Sequence, residues 1–198
     1  MPVSNVSSVS KGVSVFAIDP GGTCGWSWCC LGFAELRSVG VLGALEAARR
    51  HRSGLLLGDR RFLVGQESCL VPDEPRSEHS LAELVWSTLI MCGEMGGRVS
   101  DGAVPQITDL VLEDFILRNR TRDRSLLSPV RLNSKFEDYA ITEAPEMKVH
   151  LQSASDAKGT ITDDRLKRWN LWTPGKQHGR DATRHLLLWL RRHQTAWQ

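Results

Sequence analysis

Asp19 ends an apolar run, Val13-Ser14-Val15-Phe16-Ala17-Ile18, and Pro20-Gly21-Gly22 follows at once. A carboxylate at the end of a buried strand, beside a turn made by Pro and Gly, is held rigidly where the strand meets solvent, a placement that suits metal binding. Two further acidic sites share this character. Ile107 to Leu112 is a second β-branched and aliphatic run and ends in Glu113-Asp114, while His178-Gly179-Arg180-Asp181 opens an amphipathic segment near the C-terminus. On a helix His178 and Asp181, three apart, share one face and can reach one site. Three separated carboxylate sites point to a divalent-metal centre.

Hydrolysis of a phosphodiester without a covalent intermediate needs an activated water, a neutralised phosphate and a stabilised leaving oxygen, and two Mg²⁺ ions about 4 Å apart supply all three. Mg²⁺ keeps several waters, so three or four side chains suffice when one carboxylate bridges the pair. Asp19 is the candidate bridge, Glu113 the ligand of one ion, Asp181 a further ligand, and His178 a ligand or proton-transfer group. Each residue also has a plain structural reading: Asp before Pro-Gly is a common turn residue, strand-end acids are often solvated, and acidic side chains stabilise helix starts. The order strand-end Asp, strand-end Glu, helical His-x-x-Asp favours the chemical reading.

The substrate side follows from charge. Residues 1 to 117 hold 9 Lys/Arg against 14 Asp/Glu, and residues 118 to 198 hold 16 against 9, although the whole chain is only +2. A basic second half fits an anionic partner. Arg118, Arg120, Arg122, Arg124 and Arg131 follow Glu113 closely, with Lys158 further on, and are candidate phosphate contacts. Phe115 can stack on an unpaired base. His185, Arg191, Arg192 and His193 read as a charged helix end without a catalytic role.

These groups need elements to position them. Strands are expected at about 12–19 and 24–33, joined as a hairpin with Trp26 and Trp28 on one face, and at 60–66. Ser80-Leu81-Ala82-Glu83 has capping-box spacing for a helix over about 80–95 that ends at Gly96-Gly97. Then come a strand at 107–114, a helix around 124–141, a short strand at 147–152, a helix around 163–169 capped by Thr162, and a last helix over 178–193. Residues 40–52 are ambiguous. Three leading strands, a helix and then βαβα give an α/β fold with a mixed sheet flanked by helices.

With 198 residues and 22.1 kDa, one domain over 13–198 is expected, preceded by a disordered Ser-rich arm over 1–12. Five cysteines, with no CxxC pair, fit reduced thiols in a cytoplasm. No run approaches the roughly 20 apolar residues of a membrane span.

The motifs Ile18-Asp19-Pro20-Gly21-Gly22-Thr23, Leu112-Glu113-Asp114-Phe115 and His178-Gly179-Arg180-Asp181-Ala182 together resemble the RNase H-like superfamily, specifically the RuvC-like Holliday junction resolvases of the kind encoded by actinobacterial phages. Ser128-Pro129-Val130-Arg131, Ser155-Asp156-Ala157-Lys158 and Asp164-Arg165-Leu166-Lys167-Arg168-Trp169 are similar to those phage proteins as well. The resemblance implies a five-stranded mixed sheet, two Mg²⁺ ions that Mn²⁺ can replace, and a homodimer that nicks a four-way DNA junction. It carries Asp19, Glu113, His178 and Asp181 over as the catalytic and metal-binding set; cellular RuvC often has Asp where His178 stands. The turn after Asp19 is also similar to the phosphate loop of actin-like kinases, which need a second such half to enclose ATP. Two other readings keep the fold: a nuclease acting on RNA or unbranched DNA, and a catalytically silent nucleic-acid-binding protein.

Overall fold

The computed structural model describes residues 12–32, 61–71, 74–99, 107–115 and 124–193. The expected N-terminal arm, apart from Gly12, lies outside them, as do residues 40–52. Five strands form one sheet: β1 (Gly12–Asp19), β2 (Thr23–Gly32), β3 (Arg61–Ser68), β4 (Asp109–Asp114) and β5 (Lys148–Ser153). Their order across the sheet is β3-β2-β1-β4-β5, with β1 antiparallel to β2, β2 antiparallel to β3, and β4 parallel to both β1 and β5.

The sheet separates two apolar layers, and β1 feeds both by its two-residue alternation. Val13, Val15 and Ala17 face one layer, where Leu186, Leu187 and Leu190 of the last helix pack with Leu166 and Leu171. Phe16 and Ile18 face the other, with Trp28, Leu110, Leu132 and Phe136. Trp28 is fully buried, and its indole N–H donates to Ser14 Oγ at 3.1 Å, so the one polar atom of that ring is satisfied inside the core. Trp26 lies on the same face and stacks on Phe16 at 5.7 Å, as the alternation requires.

The helices are α1 (Pro75–Val99), α2 (Ser128–Glu143, after a 3₁₀ turn at Arg124–Leu127), α3 (Ala154–Thr160), α4 (Asp163–Arg168) and α5 (Gln177–His193). Two differ from the sequence expectation. Helix α1 starts at Pro75 rather than at Ser80: Pro suits the first helical position, and the Glu74 carboxylate accepts from Ser77 N–H at 2.6 Å. It also continues through Gly96-Gly97. Helix α3 follows β5 without a loop and was not expected from periodicity, since its seven residues bury only Ala157. Thr162 caps α4 as expected, accepting from Arg165 N–H at 3.4 Å. Cys24, Cys29 and Cys92 are buried thiols. Among the described residues, no helix is long and apolar enough to cross a membrane.

Candidate active site

Parallel pairing of β1 with β4 brings their C-terminal ends to the same edge of the sheet. Asp19 and Glu113 are each one step beyond the Ile18↔Leu112 pair, so two carboxylates 94 positions apart in sequence become neighbours. Helix α5 supplies the third group by crossing that edge at its first turn. Its backbone lies directly on Gly25, the residue paired with Asp19: a Cβ there would overlap the His178 carbonyl and stand 2.6 Å from Gly179 N. Only glycine permits this approach.

The approach places His178 Nδ1 2.8 Å from Asp19 Oδ2. Burial raises the Asp19 pKa above the ordinary carboxylate value, the His178 hydrogen bond opposes it, and the charges of Glu113 and Asp181 raise it further. The hydrogen bond to Asp19 raises the His178 pKa above 6.5 against partial burial, with Asp181 adding to the effect and Lys158 opposing it. A raised folded-state value means that the contribution of protonated His178 to stability is fully present below pH 6.5, while Asp19 stays ionised, and is lost as pH rises through the higher folded value. Unfolding by urea in chelator, compared between this chain and His178→Gln, should therefore show a stability difference at pH 6 that shrinks by pH 9. A pH-independent difference would mean that the contact does not involve a charged imidazole.

Glu113 is held from the protein side. His185 Nε2 stands 2.9 Å from Glu113 Oε2, and His185 Nδ1 stands 3.3 Å from Gln152 Oε1, Gln152 being the β5 residue paired with Glu113. Burial works against ionisation of Glu113, but the His185 hydrogen bond and the charges of His185, Lys158 and His178 outweigh it, and its pKa falls below the ordinary value. By its sequence neighbours His185 reads as part of a charged helix end. Its fully buried ring instead lies on the third carboxylate's helix, one turn beyond Asp181. Helix α5 is in fact buried all round from Asp181 to Leu190, between the sheet and α3, and the signal was there: a polar residue inside a Leu-rich run.

Asp181 is buried and paired on both oxygens. Oδ1 accepts from Arg184, which also binds Asp163 and the Ile161 carbonyl, and Oδ2 lies 3.2 Å from Lys158 Nζ. Lys158, expected on phosphates, thus stands beside the acidic residues on α3 with about half its side chain exposed. The pairing gives Asp181 a structural duty as well, because Arg184 is itself buried. These residues border an open polar pocket of about 440 Å³ lined also by Thr162, Gln177 and Arg180.

The remaining expected contacts divide. Arg118, Arg120 and Arg122 lie outside the described residues, and Arg124 begins the 3₁₀ turn. Phe115 follows β4 at the rim and is half-buried. Arg131 differs from expectation: it holds Glu78 of α1 through two hydrogen bonds of 2.5 and 2.6 Å. Glu78 is almost fully buried, so this guanidinium ties α2 to α1 rather than standing free for a phosphate. Asp19, Glu113 and Asp181, with His178, are the acidic and imidazole groups gathered at this edge of the sheet. Among the described residues, no three His, Cys, Asp or Glu side chains stand close enough to share an ion in this arrangement.

The arrangement of strands and helices has a solved counterpart. The structure of Thermus thermophilus RuvC aligns over 93% of this chain and 94% of that one, with a TM-score of 0.53 and 15% sequence identity. The fold is RuvC-like. No protein-family model matches the sequence, and no curated protein matches it. At 15% identity the likeness is one of fold, and it bears out the expected RNase H-like mixed five-stranded sheet flanked by helices. In this RuvC-like frame Asp19 and Glu113 occupy adjacent parallel strand ends, and His178 and Asp181 lie in the first turns of the helix packed across them.

Proposed function

We propose that this protein is a metal-dependent endonuclease that hydrolyses phosphodiester bonds in branched DNA, a RuvC-like Holliday junction (crossover junction) resolvase of the phage-encoded kind its motifs resemble. The observation that carries the reading is the gathering, on a RuvC-like fold, of Asp19, Glu113 and Asp181 from three elements within electrostatic reach of one another: burial is the main cause of the raised Asp19 pKa, and the charges of Glu113 and Asp181 add to it.

The donor chemistry fits Mg²⁺ or Mn²⁺. The set is three carboxylates with one imidazole, and Cys24 behind Asp19 is excluded as a thiolate because burial raises its pKa well above the usual value. The Lys158 ammonium beside Asp181, also acting on Glu113, marks the cluster as one that attracts cations. When bound, two such ions supply Lewis acidity and an activated water. The chain's part is to hold the carboxylates: β1 and β4 fix Asp19 and Glu113 by ladder pairing, and α5 fixes Asp181 through Arg184. His178, half-exposed at the mouth of the site, is placed to take or give a proton once Asp19 is otherwise engaged.

A homodimer supplies the twofold pair of sites that two opposed cuts need. Helix α1 is its proposed contact. On this helix Trp86 and Leu89 are buried within the chain, whereas Leu84, Ile90 and Met91 are exposed.

One observation favours a second reading, a catalytically silent nucleic-acid-binding protein: the acidic side chains are already paired with His178, His185, Lys158 and Arg184. A single experiment separates the two. Labelled four-way junction, duplex, single-stranded DNA and RNA:DNA hybrid are incubated with Mg²⁺, Mn²⁺ or chelator. Symmetric junction cutting only with metal is the expected result. Binding without cutting in any metal supports the silent reading, and undiminished cutting in excess chelator rules out metal dependence.

A further inference from the structure

His185 joins three elements: α5 carries it, Glu113 of β4 meets its Nε2 at 2.9 Å, and Gln152 of β5 meets its Nδ1 at 3.3 Å. Its side chain is about 1% exposed and Gln152 is also buried, so neither can touch a nucleic acid or pass a proton to bulk water. Glu113 itself is not sealed, with 13% of its side chain reaching solvent. A buried imidazole therefore stands directly behind a carboxylate that faces the site.

The direction of the hydrogen bond follows from donor counting. An ionised Glu113 has no hydrogen to give, so Nε2 of His185 must carry one. Nδ1 then either accepts from the Gln152 amide, turned by half a rotation, or carries a second hydrogen and donates to Oε1. Both arrangements brace the ring from behind and leave the Glu113 contact as a donation from Nε2. Strand pairing Glu113↔Gln152 fixes the spacing of the two partners, and packing of α5 fixes the ring between them.

Resting on the metal-dependent reading above, we infer that His185 is a positioning residue: Gln152 and His185 together fix Oε2 of Glu113, so that Oε1 is the oxygen offered to a divalent cation. Without the brace, the flexible Glu side chain must be ordered at the moment of metal binding, and outer partners of this kind are worth ~10–100-fold in metal affinity.

The test compares the parent chain with His185→Leu, His185→Gln and Gln152→Leu by calorimetric Mn²⁺ titration, with the Mg²⁺ dependence of junction cutting as second readout and thermal melting in chelator as a check of folding. His185→Leu should weaken Mn²⁺ binding by ~10–100-fold and raise the Mg²⁺ requirement by a similar factor, with cutting partly restored at high Mn²⁺. His185→Gln keeps an N–H at comparable reach and should recover part of the affinity, and Gln152→Leu should show a smaller loss than His185→Leu. A His185→Leu protein that melts earlier yet binds Mn²⁺ as tightly as the parent overturns the inference, because a residue of purely structural duty behaves that way. If His185→Leu does not fold, parent-like Mn²⁺ affinity in both other variants overturns it equally. A parent chain that binds no Mn²⁺ removes the metal-dependent reading itself, an outcome distinct from equal binding by parent and variants.

Discussion

Asp19→Asn should cut four-way junctions at least ~100-fold more slowly than the parent chain, since metal chemistry contributes several kcal/mol and each tenfold in rate corresponds to about 1.4 kcal/mol. The substitution keeps the shape of the side chain and removes its charge from a position that already feels Glu113 and Asp181. Its effect on folding should run the other way. Burial disfavours the ionised form of Asp19, so a neutral amide relieves that cost in metal-free protein, partly offset by a weaker bond to His178. The expected pattern is therefore a melting temperature in chelator equal to or above that of the parent, combined with single-turnover cutting reduced by two decades or more. Glu113→Gln should lose activity similarly. Asp114→Asn should be milder, because adjacent strand residues face opposite ways and it is Glu113 that meets His185. A near-normal rate for Asp19→Asn would remove Asp19 from the metal centre.

Gly25→Ala should damage both stability and chemistry through a single methyl group. The atoms its Cβ would strike are the His178 carbonyl and, at 2.6 Å, Gly179 N, all backbone and unable to swing aside. Nor can the helix start slide sideways freely, because Gly179 is wedged from beyond: a Cβ on it would stand 2.9 Å from both Gly65 O and Val64 Cγ1. The first turn of α5 has to lift from β2, and His178 and Asp181 are carried away from Asp19 with it. Overpacking of this kind costs ~1–3 kcal/mol. A misplacement of about 1 Å is enough to lower a rate ~100-fold. Gly22→Ala is the matched control, since nothing stands within 4 Å of a Cβ at that position. Chemical denaturation and single-turnover cutting of the two variants check the argument. A Gly25→Ala protein as stable and active as Gly22→Ala would show that α5 does not need this close seat.

The sequence by itself determined the strands that carry Asp19 and Glu113, because both are short β-branched runs ended by a charge or a turn, and local chemistry suffices to recognise them. It also placed His178 and Asp181 on one helical face, since a three-residue spacing has the same consequence on any helix. The start of α1 was obscured by competing local signals: Ser80 and Glu83 imitate a cap, while Glu74 and Pro75 make the actual one. The basic residues were the least legible part. Arg131 and Glu78 are 53 positions apart, His185 and Glu113 are 72 apart, and Lys158 meets Asp181 from another helix. Whether a cation stands free for a substrate or neutralises a buried carboxylate depends on which faces the parallel crossovers bring together. Periodicity specifies a face; only packing between elements chooses its partner.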